Sequence, residues 1–248
     1  MLSKTENSYI LVSAATSDIG FAIVRRIAST NNVVLHGRDP EKLTSLMARI
    51  ETGHKITLWC YDLKNVEGIQ ESLKKLLVEN DITISGFVHC AATLRILPLK
   101  NFRLEYSREI FDVNFFSAAE IVKTLLLKVN KQELNSVVMI SALFSKFGSK
   151  GNSMYAASKG AIDSFVKSMA VELAPGVRVN SVLPGGLRTA MTAHLFDSED
   201  YLKAFREKYL LGEGECDDVA AMVSFLLSED AKWITGQHLT VDGGASCH

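Results

Sequence analysis

Six short runs rich in β-branched and other apolar residues recur along this chain, separated by longer stretches of helical period. That alternation restricts the fold more than any other feature. The runs at 9–12, 32–35, 55–59, 86–89, 137–140 and 177–182 are nearly continuous in apolar character, as strands covered on both faces are. Between them the spacing predicts amphipathic helices over 19–29, 40–50, 66–79, 104–129 and 154–173, with a later one near 217–227. Asp39 before Pro40 suits an N-cap followed by a first helical position. Strand-helix alternation requires parallel strands joined by right-handed crossovers. The expected fold class is therefore α/β: a doubly wound parallel sheet with helices on both faces.

A chain of 248 residues suits one domain spanning 1–248, and nothing in its composition marks a linker or a repeat. With a formal net charge of −1 it lacks the concentrated basic face that nucleic acid or an anionic membrane would need. No run approaches the eighteen or so apolar residues of a membrane span. Residues 1–8 are polar and show no secretory signal. Cys60, Cys90, Cys216 and Cys247 are widely separated and have no metal-ligand spacing. The expectation is free thiols in a reducing cytoplasm and no metal. The segment 188–214 is too long for an ordinary connection and mixes Met191, Leu195, Phe196, Tyr201, Phe205 and Tyr209 with charges. Such inserts after a strand's carboxyl end form substrate lids, and an amphipathic surface helix is the plainer alternative.

Within the helix expected at 154–173, Tyr155 and Lys159 stand four residues apart, on one face and one turn from each other. A free tyrosine has a pKa near 10. A nearby ammonium favours the phenolate, so the pair can exchange a proton with a hydroxyl or carbonyl. On its own the spacing fits an ordinary surface pair equally well.

The surroundings of that pair are more specific. The first strand ends in Ser13-Ala14-Ala15-Thr16-Ser17-Asp18-Ile19-Gly20, which resembles the T-G-x-x-x-G-x-G turn of the short-chain dehydrogenase/reductase superfamily. From there the resemblance runs through Asp62-Leu63, Asn114, Tyr155 and Lys159, then Pro184-Gly185 with Thr189, and finally 234–237 and 241–244. It implies a single-domain Rossmann-like sheet of about seven strands and an NAD(P)-dependent oxidoreductase. Tyr155 would be the acid/base. Lys159 would lower its pKa and bind the nicotinamide ribose, while Asn114 would hold a water linking Lys159 to solvent. The resemblance implies cofactor contacts from Ser13, Ala15, Ile19 and Gly20 of the first turn. Arg38, Asp62, Leu63, Ala91, Lys159, Pro184, Gly185 and Thr189 complete that set.

Charge bears on which cofactor is used. Relatives that use NAD carry an Asp at the end of the second strand for the adenosine ribose. Here Leu35-His36-Gly37-Arg38-Asp39 puts Gly37 at that place, with Arg38 next to it. An Arg pairs with a 2′-phosphate that an acid would repel, so the expected cofactor is NADP rather than NAD. Arg38 stacked on adenine is the alternative.

Three departures from the family pattern stand out. Ala14 and Asp18 occupy positions that are usually glycine, adding a methyl and a negative charge where phosphate should approach. His89-Cys90-Ala91-Ala92 replaces N-N-A-G, and a structural hydrogen bond from His89 is expected in place of the lost Asn. The position thirteen residues before Tyr155, where the family carries its catalytic Ser, is Ala142. Its neighbour Ser141 is the candidate substitute. On a regular strand Ser141 faces the other way, and a bulge would be needed to bring it back. Ser145 is a further nearby hydroxyl.

Two functions therefore stand side by side: a reductase of a small carbonyl or hydroxyl compound, and a non-catalytic dinucleotide-binding or scaffold protein. Among enzymes, the overall likeness is nearest to 3-oxoacyl-carrier-protein reductases. Against carrier docking, Val171 rather than Arg precedes Glu172, although Lys128 and Lys131 are close in sequence. Enoyl reductases of this type place Lys seven residues after Tyr, where this chain has Ile162. By resemblance, a homodimer or homotetramer pairing the long helices is expected, with Ala157, Ala161, Phe165 and Met169 suited to burial.

Overall fold

Leu11 and Val12 are neighbours on one strand and face opposite cores, as a strand buried on both sides requires. The structure is a computed structural model and describes residues 6–247. Residues 1–5, most of the polar N-terminal stretch, and residue 248 lie outside the described residues. Strand β1 (Ser8–Val12) leads to α1 (Asp18–Ile27), β2 (Asn32–Gly37), α2 (Pro40–Met47), β3 (Ile56–Cys60) and α3 (Ile69–Glu79). After β4 (Thr83–His89) come α4 (Leu104–Phe111), α5 (Ser117–Leu125), β5 (Ser136–Ile140) and α6 (Ser153–Leu173). The chain ends with β6 (Arg178–Pro184), α7 (Glu199–Lys208), α8 (Cys216–Leu227) and β7 (His238–Val241). All seven strands are parallel, in the order β3-β2-β1-β4-β5-β6-β7. The order reverses between β1 and β4, so the ligand cleft of such a sheet opens there, outside the carboxyl ends of the strands.

Alternation along the strands builds two cores. Tyr9, Leu11, Val34, Val137 and Met139 pack with Leu73 and Leu77 of α3, Ile121 and Leu125 of α5, and Ile162 and Val166 of α6. Ile10, Val12, Val33, Leu35, Val138 and Ile140 pack with Ile23 and Ile27 of α1, Leu43 of α2, and Val219, Val223 and Leu226 of α8. Each fully buried aliphatic chain contributes about 1.5–3 kcal/mol relative to exposure. Two cores of this size fix the sheet and leave its carboxyl edge free to specialise.

Helix starts follow the side chains that satisfy free backbone amides. Ser17 Oγ accepts from the Gly20 amide at 3.1 Å, and Asp39 accepts from Glu41 and Lys42, both at 3.1 Å, with Pro40 at the first position. The chain departs most from sequence expectation at 104–129, where one helix becomes two joined by a π-helical turn, Asp112–Phe116. The extra residue in that turn rotates Asn114 inward, where it is fully buried. The 188–214 segment contains a short 3₁₀ turn (Ala193–Leu195) and α7, in keeping with the surface-helix alternative. No helix among the described residues is long and apolar enough to cross a membrane.

Candidate active site

The turn between β1 and α1 is closed by contacts that use up most of its polar groups. The Ala14 carbonyl accepts from the Ser17 amide at 3.0 Å and the Ser17 hydroxyl at 2.8 Å. A Cβ on Gly20 would sit 2.3 Å from that carbonyl, so only glycine fits there. The amides of Asp18 and Ile19 open α1 without acceptors inside the helix, which is the usual arrangement for binding a phosphate. Ala15 is fully buried and donates its amide to the His36 carbonyl at 2.8 Å. The turn is closed by these hydrogen bonds despite its missing glycines.

Ala14 carries the cost of that shape. Its φ of 48° is left-handed, a conformation that costs a residue with a Cβ about 1–2 kcal/mol. His36 holds it in place. Its Nδ1 accepts from the Ala14 amide at 3.1 Å, and Nε2 faces the Tyr61 carbonyl at 3.0 Å as the donor. Burial lowers the His36 pKa to about 4, so the ring is neutral and keeps this donor-acceptor pattern near neutral pH. Ala14→Gly is expected to relieve the strain, partly offset by the greater freedom of glycine in the unfolded chain. A net gain of about 0.5–1 kcal/mol corresponds to a melting midpoint higher by about 1–4 °C for a domain of this size. A midpoint that stays put or falls in a thermal melt would sink this account.

At the switch point, Ser13 ties β1 to β4. Its hydroxyl accepts from the amides of Cys90 at 2.9 Å and Ala91 at 3.1 Å, leaving its proton for His89 Nδ1 at 3.2 Å. Both Ser13 and His89 are fully buried, so the Ser13 hydroxyl shapes the cleft floor rather than facing a ligand. His89 Nε2 has no hydrogen-bond partner. Burial, with the Lys159 charge adding to it, holds its pKa down at about 3, against a small opposing effect of the Val113 and Asn114 carbonyls. His89 thus supplies the cross-strand bond expected in place of an Asn.

Around the adenine end, Asp62 is exposed and accepts from the Lys64 amide at 3.1 Å, and Leu63 is buried beneath it. Arg38 is exposed and has no side-chain partner among the described residues. Asp39, which an NAD reading would need, is instead committed to capping α2. Asp18 turns toward the segment after β6: its Oδ2 accepts from the Ala190 amide at 2.7 Å, tying α1 to the 188–214 segment. Pro184 is buried, and a side chain on Gly185 would meet Asp242 and Tyr209 at 2.8 Å. Tyr209 accepts from the Gly186 amide at 2.7 Å and stacks on Phe205 at 4.0 Å, which anchors α7 to the end of β6. Thr189 pairs with Thr192, hydroxyl to hydroxyl at 3.0 Å.

Tyr155 and Lys159 share one face of α6, with the Lys159 ammonium 5.7 Å from the Tyr155 ring centre. The expected lowering of the tyrosine pKa is not what this arrangement produces. Lys159 Nζ donates to the Ile140 carbonyl at 2.7 Å, and burial pushes Tyr155 up to about 12. The phenol therefore keeps its proton, as a donor in a reduction must. Burial also brings Lys159 down to about 8.

Asn114 is committed elsewhere than expected. Its Oδ1 accepts from the Thr93 amide at 2.7 Å, and its Nδ2 donates to the Thr93 carbonyl at 3.1 Å and the Ser158 hydroxyl at 3.0 Å. The side chain locks the 93 loop to α6. Ser141 is not brought into the cleft. The strand continues regularly past Ile140, and Ser141 Oγ donates to the Lys159 carbonyl at 3.3 Å, buried against α6. Ser145 donates to Asp163. Neither hydroxyl stands in for the one absent at Ala142, whose extended backbone (φ −161°, ψ 155°) points its methyl to the side opposite Ser141.

His36 and Asp163 emerge only from the structure, as does the contact of Tyr209 with the Gly186 amide. His36 lay within a run read for its Arg, and Asp163 had no motif to mark it. Among the described residues no cluster of His, Cys, Asp and Glu could hold a metal ion, and the four cysteines are unpaired.

A family model described as enoyl-(acyl carrier protein) reductase matches residues 13–246. The human dehydrogenase/reductase SDR family member 4 is 30% identical over 247 residues, covering 96% of this chain and 87% of that protein. The 3-oxoacyl-[acyl-carrier-protein] reductase of Aquifex aeolicus is 31% identical over 247 residues, covering 97% and 98%. Among solved structures, a short-chain type dehydrogenase/reductase from Mycobacterium ulcerans superposes with a TM-score of 0.88 at 28% identity, covering 98% of this chain and 91% of that one.

Proposed function

This chain is an oxidoreductase of the short-chain dehydrogenase/reductase superfamily, which interconverts carbonyl and hydroxyl groups with NAD(P), and we propose that it is an NADPH-dependent reductase of a small-molecule carbonyl with Tyr155 as proton donor. The observation that carries this reading is the state of the Tyr155/Lys159 pair: a half-buried phenol that holds its proton, one helical turn from a fully buried ammonium. The cofactor supplies the hydride. Tyr155 hydrogen-bonds the substrate oxygen and gives it a proton, and the Lys159 charge stabilises the phenolate left behind. The α1 amides and the Gly20 turn hold the pyrophosphate, with Ile19 and Ala15 shaping the cradle. Asp62, Leu63 and Ala91 flank the adenosine side, and Pro184, Gly185 and Thr189 close the nicotinamide side. A Lys four residues after Tyr, with Ile162 at the seventh, supports carbonyl rather than enoyl reduction.

Arg38 supports NADP because it is unpaired and exposed at the end of β2 while Asp39 is occupied. A charge-assisted bond to a 2′-phosphate contributes about 1.5–3 kcal/mol, or about 10–100-fold in affinity. Arg38→Glu is expected to weaken NADPH by at least that factor and to leave NADH within about threefold. Calorimetry with both cofactors reads this, and equal losses for the two would remove Arg38 from the 2′ site. Binding of neither by the unaltered protein would remove the whole reading.

The same reading includes a cytoplasmic homodimer or homotetramer. Phe116 and Leu126 beside α5, and Val171 on α6, are exposed apolar side chains on the long-helix side of the molecule. Light scattering on the purified protein measures the assembly, and a monomer at micromolar concentration would contradict it.

A further inference from the structure

Lys159 and Asp163 are the only Lys, Arg, Asp or Glu residues buried among the described residues, and they stand one turn apart on α6. Burying charge is costly unless a partner compensates it. Lys159 makes no ion pair; its ammonium is bound to the Ile140 carbonyl. Asp163 is held by four residues from three elements. Oδ2 accepts from Ser145 Oγ and lies 3.9 Å from Lys146 Nζ, both in the turn after β5. Oδ1 accepts from Ser181 Oγ on β6 at 3.3 Å and lies 3.7 Å from His238 Nδ1 on β7. Ser181 and His238 are themselves joined at 2.7 Å. These contacts fix the carboxylate one helical turn from Lys159.

We propose that Asp163 is a positioning residue of the reaction: it is the buried counter-charge that keeps the Lys159 ammonium protonated beneath Tyr155. This rests on the Tyr155/Lys159 reading above. The groups facing Lys159 are few: Tyr155 on its own helix, Cys90 and His89 at the end of β4, the Ile140 carbonyl on β5, and Asp163. Cys90 helps the ammonium only as a thiolate, and burial holds that thiol at about 12. His89 stays neutral, its pKa held at about 3. Where Lys159 titrates, at about 8, Asp163 is therefore the negative charge left to act on it. Around Asp163 itself stand Lys146, His238 and the two serines, with Lys167 acting on His238 from the next turn of α6. Burial, assisted by Lys146 and Lys167, lowers the His238 pKa against the pull of Asp163, so the ring adds no second charge at alkaline pH.

The test is the pH profile of kcat for NADPH-dependent reduction of phenanthrenequinone, an activated dicarbonyl probe. Asp163→Asn removes the charge and keeps the shape, and is expected to move the alkaline limb to lower pH. A shift of about one unit makes the rate deficit grow to about tenfold between neutral and alkaline pH. Asp163→Ser, smaller and still able to accept a hydrogen bond, is the second neutral variant should the first not fold. Asp163→Glu retains the charge and is expected to keep the limb in place. Ser145→Ala and Ser181→Ala break the hydrogen bonds alone and are also expected to keep it. A neutral variant whose profile superposes on that of the unaltered protein overturns the proposal, as does an equal shift in Asp163→Glu. Tyr155→Phe separates the two levels. If it keeps full activity, the underlying reading fails and this inference with it; if it is inactive and the neutral variants are unshifted, this inference alone fails.

Discussion

Tyr155→Phe is expected to lower kcat by about 10²–10⁴, the usual worth of a positioned general acid, while NADPH affinity changes less than about threefold. The split follows from where the hydroxyl sits. It is half-buried, it has no hydrogen-bond partner among the described residues, and the Lys159 ammonium lies 5.7 Å from its ring centre. Removing one oxygen leaves the edge-on contact with Phe144 and the α6 packing intact. The unaltered enzyme should reduce carbonyls at a steady rate below the Lys159 pKa of about 8 and more slowly above it. Tyr155, at about 12, keeps its proton throughout that range. The loss at high pH reflects the ammonium becoming neutral, so the rate falls as pH rises. Stopped-flow measurement of NADPH oxidation at several pH values checks both parts. An activity that rises through pH 8, or a Phe variant of undiminished kcat, would remove Tyr155 and Lys159 from the chemistry.

Ala142→Ser is expected to raise kcat by up to about 10²–10³, the change associated with a second hydrogen bond to a developing oxyanion. The backbone already stands ready for it. Residue 142 is extended, on the opposite side of the chain from Ser141, whose hydroxyl is spent on the Lys159 carbonyl. A hydroxyl at 142 replaces one hydrogen on a small, nearly buried methyl, so the packing cost is small. The control is Ser141→Ala, which should leave kcat within about threefold because that hydroxyl faces α6. Should Ala142→Ser bind NADPH normally and turn over no faster, position 142 does not face the carbonyl. Should Ser141→Ala cripple turnover instead, Ser141 is the substitute after all.

The two variants mark how much of the site could be read from the chain. Strand positions were legible because burial on both faces leaves unbroken apolar runs, and their order implied the parallel sheet. Tyr155 and Lys159 were legible because four-residue spacing on a helix places two side chains together whatever surrounds them. What those side chains do to one another was not legible. The expectation that Lys159 lowers the Tyr155 pKa assumed that the ammonium points at the ring oxygen, whereas the Ile140 carbonyl takes it. Asn114 was singled out in the sequence, yet its partners, Thr93 and Ser158, are set by a π turn that no periodicity announces. Ala14 was recognised as unusual, but the imidazole that steadies it lies twenty-two residues away in sequence.

By itself, the sequence determined the α/β class, the order of the elements, the family, and the placing of Tyr155 and Lys159 on one face of one helix. These rest on local periodicity and on spacing within one helix or one turn, which neighbouring residues settle among themselves. The tertiary structure alone decided that Asp18 turns to the Ala190 amide, that the Ser141 hydroxyl faces α6, and that Ser145 and Ser181 hold the buried Asp163 carboxylate. Each depends on which distant group comes within reach of a polar atom and on how much water is removed from around it. Desolvation and long-range partners come into being only when the two cores close.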